Sequence, residues 1–544
     1  MNQHRMHVLL GASVLSCALF SCQKGKTPSS DTGNSYYTNE NYAFTILYQG
    51  AEGDAKKLAA YDKANPSANG FEKYALDYDI GESNYLKMEY SSDEDVVGYL
   101  DYSSLDGTKT NSEKFFLPKE ETSFTTFLDA YRIGAFGAYA KKLTGIRVQN
   151  VGAEEATFSL RSLSISDRSV PDVHSMLYVS SPTLIVGTSF QFGGAIQYIE
   201  RTDLDICEYM DSLGNICIDR DIDPRKVKLV SDRVNFVNIY DLGREIQASY
   251  YLNANEKNGY HPKTALSYSG LDNLVKYNPI QCGSPTFNSP QVIDFVYHEN
   301  YFWVKVKPLD WFYDNDLCCG YMETTISFGN DGVIIVDNSY RDFSQFLDSE
   351  ENPLVYNPQE TPATMTVYPL NYFYCETKRG TIMDPNTSGI PQSTSVLTSA
   401  NQVGSGAYYY SLFASSMKYN WMAMVNENYF GLGICMVNAD HYVGSHSNPS
   451  TNYYSEAANR KFKEDRFSFD DSTIVPSYAA YSDGYMCPGI DRKMVDFVPL
   501  TYSYALCIGD TQTMGDEFAA LKASGRIANE SLLQADGVHS WPKR

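Results

Sequence analysis

Hydrophobic and polar residues alternate with a period of two over much of the N-terminal part of the chain. Leu86, Met88 and Tyr90 fall on one side of an extended segment, and Lys87 and Glu89 fall on the other. This pattern predicts strands with one buried face. Further strands are predicted at residues 96–102, 113–117, 145–151 and 156–165.

Few segments show helical periodicity. A short helix is predicted near residues 125–131. The clearest helix is predicted close to the C-terminus, where Met514, Phe518 and Leu521 share one helical face and Thr513 is the predicted N-cap. The segments between residue 173 and this helix are typical of short strands separated by turns, without a repeat of fixed period.

The chain is therefore predicted to be all-β, with two folded units. A polar, proline-containing stretch at residues 166–172 predicts the boundary between them. We expect a β-sandwich over residues 41–168 and a larger β-sandwich over residues 173–510. A C-terminal helix and tail are expected over residues 511–544.

The composition supports strands and limits the partners. Of the 544 residues, 43% are hydrophobic and 14% aromatic, which favours sheets over helix bundles. Lys and Arg number 43 against 66 Asp and Glu, for a net charge of −23. Since this charge repels polyanions, nucleic acid and anionic membrane surfaces are poor partners, no nucleic acid partner is expected, and neutral or cationic ligands are favoured.

The N-terminus predicts export. Residues 1–22 have a basic start, an apolar stretch and small residues before Cys22, and they resemble the signal peptides of bacterial lipoproteins. This resemblance implies lipidation of Cys22, a flexible tether over residues 23–40 and an outer-membrane location in the cell envelope. The lipid would be the only contact with the membrane. An ordinary cleaved signal is the alternative.

No metal or nucleotide cofactor is expected. The eleven cysteines include no pair with C-x-x-C spacing, so a zinc site is not predicted. The acidic stretch at residues 203–223 raises structural calcium as an alternative, but it lacks the residue order of an EF-hand loop. Gly-rich phosphate-binding motifs and the G-x-S-x-G motif are absent in a strand-to-helix context.

Two resemblances suggest carbohydrate chemistry. The order of strands over residues 41–168, with Lys-Phe-Phe-Leu at residues 114–117, resembles the jelly-roll modules attached to carbohydrate-active enzymes. A Gly-Gly-x-Ile strand at residues 193–196 resembles the start of the galactose-mutarotase-like supersandwich. Aldose epimerases, many glycoside hydrolases and polysaccharide lyases share that fold. Further segments similar to secreted bacterial proteins of this fold lie at residues 241–250, 278–285, 359–363, 420–423 and 431–434.

A sugar site is also predicted from the residues themselves. Asp241, Arg244, Glu245 and Gln247 lie within seven residues of one another, at a turn that Gly243 permits. Carboxylates and amides bind sugar hydroxyls, and aromatic rings cover the apolar face of a sugar. The candidates for further sugar contacts are Tyr250, Tyr251, Gln281, Trp303, Trp311, Trp421 and His441. In the alternative, Arg244 and Glu245 form a structural ion pair and the tryptophans belong to the core.

Glycoside cleavage needs two carboxyl groups of different pKa. Glu360 is the candidate acid, and Asp241 or Glu245 is its candidate partner. A lyase would instead need a base and a group that neutralises the substrate carboxylate. For that reaction the candidates are Tyr250, His261 and His441, together with Arg244.

These observations lead to one main hypothesis and several alternatives. We expect a lipid-anchored protein of the cell envelope that acts on glycans as a glycoside hydrolase. A polysaccharide lyase of the same fold and a non-catalytic glycan-binding lipoprotein are the alternatives, so enzymatic activity is left open. A structural protein of the envelope is a further alternative.

Overall fold

The computed structural model describes more than half of the chain, in segments between residues 42 and 526. The described segments are residues 42–51, 53–65, 68–81, 84–128, 141–171, 176–203, 236–237, 245–250, 278–283, 289–311, 317–330, 332–345, 359–366, 370, 372–377, 380–384, 399–403, 407–413, 418–426, 428–439, 442–448, 484–490 and 496–526. Within these segments, no helix is both long and apolar enough to cross a membrane.

The first nine strands form two antiparallel sheets, which we call the small sandwich. The strands are β1 (Thr45–Gln49), β2 (Lys56–Leu58), β3 (Glu72–Asp79), β4 (Asn84–Ser92), β5 (Val96–Ser103), β6 (Thr110–Leu117), β7 (Ser123–Leu128), β8 (Lys142–Asn150) and β9 (Ala156–Ser166). One sheet has the order β1-β9-β4-β7, with β2 also paired to β9, and the other has the order β3-β8-β5-β6.

The alternation seen in the sequence accounts for the small sandwich. Leu86, Met88 and Tyr90 on β4 are buried in its core, because side chains two apart on a strand share a face. The four further strands predicted in this part of the chain are confirmed. The helix predicted near residues 125–131 is wrong up to Leu128, because these residues pair with β4 as strand β7. Residues 129–131 lie outside the described part.

Twenty further strands form two larger antiparallel sheets, which we call the large sandwich. The strands are β10 (Leu177–Ser180), β11 (Leu184–Thr188), β12 (Ile196–Arg201), β13 (Ile246–Ser249), β14 (Pro279–Ile280), β15 (Gln291–His298), β16 (Tyr301–Lys307), β17 (Leu309–Asp310), β18 (Gly320–Asn330), β19 (Val333–Asp342), β20 (Gln359–Thr366), β21 (Tyr372–Thr377), β22 (Gly380–Asp384), β23 (Ser399–Val403), β24 (Ala407–Phe413), β25 (Trp421–Val425), β26 (Phe430–Ala439), β27 (Tyr442–Asn448), β28 (Gly484–Ile490) and β29 (Leu500–Asp510).

The two sheets enclose the main hydrophobic core. One sheet has the order β10-β11-β12-β13-β20-β28-β27-β24-β23, with β14 and β17 attached beside β13. The other has the order β15-β16-β18-β19-β29-β26-β25-β21-β22. Ile246 of the first sheet and Val304, Ile334 and Leu432 of the second are buried in this shared core. The prediction of an all-β protein with a larger second sandwich is confirmed.

One helix, α1 (Thr511–Ala523), covers the outer face of the second sheet. Met514, Phe518 and Leu521 are its buried residues, as the helical periodicity predicts. The N-cap is Asp510 and not Thr513, because the Asp510 carboxylate accepts a hydrogen bond from the Thr513 backbone N–H at 2.7 Å.

The predicted boundary stretch contains a buried anchor between the sandwiches. Arg168 is fully buried, and its guanidinium donates to Asp294 of β15 and to the Phe295 carbonyl, both at 2.8 Å. Asp294 also accepts hydrogen bonds from the hydroxyls of Tyr85 and Thr125 in the small sandwich. The polar stretch whose sequence is typical of a linker therefore contributes the Arg168 side chain to the contact between the two sandwiches. The exact domain limits stay predictions.

Candidate functional site

Strand β13 has one polar and one apolar face. Ile246, Ala248 and Tyr250 belong to the core between the sheets. Glu245, Gln247 and Ser249 alternate with them and lie on the opposite side, because side chains of a strand alternate between its two faces. We call these three residues the β13 polar face.

The neighbouring strands bring distant predicted residues to this place. Gln247 lies opposite Ala363 and Ser249 lies opposite Glu360 in the register of β13 with β20. Ser249 also pairs with Ile280 of β14. Segments of β13, β14 and β20 therefore meet on one sheet, although Ser249 and Glu360 are more than 100 positions apart in the sequence. This convergence is the structural feature on which the sugar-site prediction depends.

The side chains of the β13 polar face are buried. Glu245 has no exposed surface, and Gln247 and Ser249 are each 2% exposed. The Gln247 side-chain oxygen accepts a hydrogen bond from the Cys282 backbone N–H at 3.2 Å. Burial, and then the hydrogen bond with the Glu245 carboxylate, raise the pKa of the Cys282 thiol well above its usual value. Glu245 is thus held in a dry environment beside a neutral thiol.

Gln281 is a second predicted residue with a defined role. Its side-chain oxygen accepts from the Ala248 backbone N–H at 3.0 Å, and its amide donates to the Gly193 carbonyl and the Thr324 hydroxyl at 2.9 and 2.8 Å. Thr324 in turn donates to Asn338 at 2.7 Å. Because Thr324 and Asn338 belong to the opposite sheet, Gln281 connects the two sheets through a buried polar chain.

Steric constraints explain why glycine occupies the position next to Gln281 in the Gly193-Gly194 pair. Gly193 has a φ of 60°, and a Cβ atom there would lie 2.4 Å from the Gln281 carbonyl oxygen. Residues with a side chain are strained in this conformation, and the close approach excludes them as well. The Gly-Gly motif therefore serves to bring this turn against the segment that carries Gln281.

Of the four described aromatic candidates for sugar contacts, Trp303 on β16 is half-buried, Trp311 is half-buried against Ile280 and Cys282, and Tyr250 and Trp421 lie in the interior. Tyr250 is fully buried, and its ring stacks on Tyr340 with 4.7 Å between the centroids. Trp421 is 7% exposed and packs against Tyr374 and against Phe518 of α1, on the other sheet. In this arrangement neither ring offers a free face to a ligand, and Trp421 does not join the β13 polar face.

Several candidates lie outside the described residues. These are Cys22, Asp241, Arg244, Tyr251, His261 and His441. For Glu360 the structure gives the backbone position only. Their predicted roles stay predictions, as does the structural calcium alternative. In the part of the chain that the structure describes, no group of three or more His, Cys, Asp or Glu side chains could hold a metal ion.

A carboxyl pair that the sequence does not reveal lies between the sandwiches. Asp342, at the end of β19, and Asp496 share a hydrogen bond, and burial followed by the Asp342 charge raises the pKa of Asp496 to about 8. Carboxyls in direct contact are closer than the ~5–5.5 Å of a retaining glycosidase. The pair therefore does not have glycosidase geometry. Its members are 154 positions apart and belong to no motif, so only the fold could identify it.

A shallow pocket of about 500 Å³ opens at the turns after β10 and β15. Its lining consists of Ser180, Ser181, Pro182, His298, Glu299 and Asn300. Tyr178, which is 47% exposed, precedes this lining by two residues. Hydroxyl, imidazole, carboxylate and amide groups are a composition that suits sugar hydroxyls, and an exposed aromatic residue on the same strand as Ser180 could cover the apolar face of a sugar.

Among known proteins, the chain is similar only at low TM-scores to the solved structures described below, and these likenesses assign no activity. No family model and no curated protein matches the chain. Among solved structures it is similar to a GalM/aldose epimerase homologue from C. elegans, with a TM-score of 0.31 and 8% identity over 62% of this chain and 99% of the other. It is also similar to a galactose mutarotase related enzyme from Lactobacillus acidophilus, with a TM-score of 0.27 and 9% identity over 62% and 98%.

A third similar structure is a xylanase from Cellvibrio japonicus in complex with xylopentaose. The TM-score is 0.15 and the identity 11%, over 26% of this chain and 33% of the other. At these TM-scores the likenesses carry no inference about activity.

Proposed function

We propose that this protein acts on glycans at the β13 polar face, and that the residues covering this face, which leave its side chains at most 2% exposed, move away when a glycan binds. The observation that carries the proposal is the convergence of residues 245–249, 280–282 and 360 on adjacent strands. Recognition of sugar hydroxyls needs carboxylate and amide groups held in fixed positions, which sheet pairing provides. We place the protein in the cell envelope through the lipid on Cys22, and fractionation of membranes from cells that make the full-length chain tests this placement.

The reaction we propose is glycoside hydrolysis, with Glu360 as the acid and Glu245 as its partner. Four residues separate Glu245 from Ser249, which lies opposite Glu360, so the backbone positions are offset by roughly 13 Å along the strand at about 3.3 Å per residue. A backbone offset of this size suits the wider ~6.5–9.5 Å carboxyl spacing of inverting enzymes better than the ~5–5.5 Å of retaining ones.

Neutral oligosaccharides of defined linkage are the substrates for the test. With a linkage that the wild type cleaves, Glu360→Gln is expected to reduce kcat/KM about 10²–10⁴-fold, because the variant lacks the proton donor for the leaving group. Glu245→Gln is expected to have an effect of similar size. Glu323→Gln is the matched control and is expected to retain activity, because Glu323 pairs with Lys305 on the other sheet.

The stereochemistry of the product gives an independent check. NMR of the newly formed reducing end is expected to show an inverted anomeric configuration. A retained configuration, or full activity in Glu360→Gln, would contradict the assignment of the carboxyl pair. If no glycan in the panel is bound or cleaved, the proposed function itself is wrong.

Glycan binding without cleavage is a second candidate, and the pocket beside Tyr178 favours it. Calorimetry with the same oligosaccharides would then show binding without product. Tyr178→Ala is expected to weaken this binding about 5- to 150-fold, because an aromatic contact contributes about 1–3 kcal/mol. Tyr429→Ala is the control, since Tyr429 is 44% exposed but lies at the turn before β26. Equal affinities in the two variants would exclude this pocket as the binding site.

A further inference from the structure

The carboxyl pair of Asp342 and Asp496 holds a turn at the contact between the two sandwiches. Asp342 is fully buried, and Asp496 is partly buried. The Ser344 hydroxyl contacts both carboxyl groups, at 3.2 Å for Asp496. Two carboxyls in direct contact within a protein interior cannot both ionise without strong repulsion, so the pair retains one proton.

The same two residues fix the backbone around them. The Asp342 carboxylate accepts from the Ser344 N–H and the Asp496 carboxyl accepts from the Gln345 N–H, each at 2.9 Å. The Phe497 N–H donates to the Asp342 carbonyl at 2.7 Å. Gln345 and Phe497 have φ values of 69° and 70°, a left-handed conformation that is unfavourable for residues with a side chain. The turn therefore depends on the hydrogen bonds of the pair.

Strand β6 of the small sandwich rests on this turn. The Lys114 ammonium donates to the Ser344 carbonyl at 3.1 Å and to the Gln345 side-chain oxygen at 2.6 Å. The ring of Phe116 packs on Phe343 and Phe497, with centroid distances of 6.0 and 5.3 Å. We call this set of contacts the β6 seam.

We propose that the proton shared by Asp342 and Asp496 locks the small sandwich onto the large one, and that loss of this proton opens the β6 seam. The carboxyl pair would thus act as a pH-sensitive latch. The Arg168 contact with Asp294 involves neither carboxyl, so it remains as a second attachment when the seam opens.

The direction of the pH response follows from linkage. In the closed seam, burial and Asp342 raise the pKa of Asp496 to about 8. In an opened, hydrated seam this pKa returns to the ordinary aspartate value of about 4. Between these values the closed form holds a proton that the open form has lost, so opening increases by up to about tenfold per pH unit. Above about pH 8 both forms are ionised, and the response levels off.

Other titratable groups face the pair from each surrounding element. Those that interact with the pair are Lys114 on β6, Cys319 before β18, Tyr340 on β19 and Tyr61 after β2. Lys307 on β16 and Tyr99 on β5 interact with these neighbours in turn, and Glu113 on β6 pairs with Lys307. Burial lowers the pKa of Lys114, which favours closure as the pH rises, and burial raises the pKa of Cys319, which opposes it. Since burial is the largest cause of both shifts and Asp496 is a smaller one, a variant that changes Asp496 alone leaves most of both contributions in place.

Hydrogen exchange of the full chain, measured by mass spectrometry between pH 5 and 9, tests the latch. Rates are divided by the intrinsic exchange rate at each pH. In the wild type, opening of peptides from β6 and from residues 342–345 is expected to increase with pH up to about 8 and then to level off. Peptides from α1 are expected to show no such change, because α1 covers a different part of the sheet.

Asp496→Asn is expected to remove the pH response of the seam, since its amide cannot ionise. Asp337→Asn is the matched control and is expected to keep the response, because Asp337 lies on the same strand as Asp342, β19, but at an exposed position. If the protection of the β6 seam from hydrogen exchange is constant from pH 5 to 8 in the wild type, this result alone overturns the proposal. An unchanged response in folded Asp496→Asn overturns it as well.

Discussion

Replacing Arg168 with methionine is expected to lower the free energy of unfolding by about 3–5 kcal/mol. The methionine fills part of the space but leaves the Asp294 carboxylate, only 4% exposed, without its cationic partner. Removing one member of a buried ion pair costs more than the pair itself contributes, because the remaining charge is desolvated.

The surroundings of Arg168 explain the size of this effect. The guanidinium lies over the rings of Phe295, Tyr85 and Phe127, at 4.4, 4.6 and 5.1 Å from their centroids. Phe127 and Phe295 also stack on each other across the boundary, with 5.8 Å between centroids. The substitution therefore affects hydrogen bonds, cation–π contacts and the packing of both sandwiches at once.

Urea unfolding monitored by tryptophan fluorescence measures this prediction. Arg147→Met is the matched control, because Arg147 also pairs with an aspartate, Asp101, but at a site where both side chains are 25% exposed. Exposed pairs contribute roughly 0–1 kcal/mol. Similar losses in the two variants would contradict the anchoring role of Arg168. Adding Asp294→Asn to Arg168→Met is expected to recover part of the stability, because the unpaired charge is then removed.

Replacing Gln281 with leucine is the second change with a large expected effect. Leucine has a similar size but cannot hydrogen bond, so the Ala248 N–H loses its acceptor, and the Gly193 carbonyl and Thr324 hydroxyl lose their donor. An unsatisfied buried polar group costs about 1–3 kcal/mol. We expect a loss of about 3 kcal/mol or more in the free energy of unfolding.

The same urea experiment tests this expectation. Gln512→Leu is the control, since Gln512 is exposed on α1 and its side chain donates a hydrogen bond to Asp516 one turn away. Surface substitutions of this kind change stability by about 0.5 kcal/mol or less. If Gln281→Leu has an effect as small as the control, then the polar chain between the sheets does not stabilise the large sandwich.

The candidate site was predicted in part. Local clusters and the resemblance predict Glu245, Gln247, Gln281 and Glu360 as site residues, and the fold brings their segments together on adjacent strands. Burial could not be predicted, because it depends on which elements cover a strand. Polar residues near a glycine turn look the same in a sequence whether solvent or protein surrounds them.

Strand formation was determined largely by the sequence itself. The alternation in β4 and β5 and the spacing of Met514, Phe518 and Leu521 are local patterns. The spacing of the apolar residues determines whether a strand or a helix places them all on one face that can be buried. For this reason the all-β class and α1 follow from the chain alone.

Only the tertiary structure decided which strands pair and which polar groups meet. Residues 125–128 became a strand because β4 offers them a partner, and Arg168 became an anchor because Asp294 lies opposite it. Asp342 and Asp496 came into contact across 154 positions. Contacts of this kind depend on long-range packing, where the gain from burial must exceed the entropy of closing a long loop, and no local pattern records that balance.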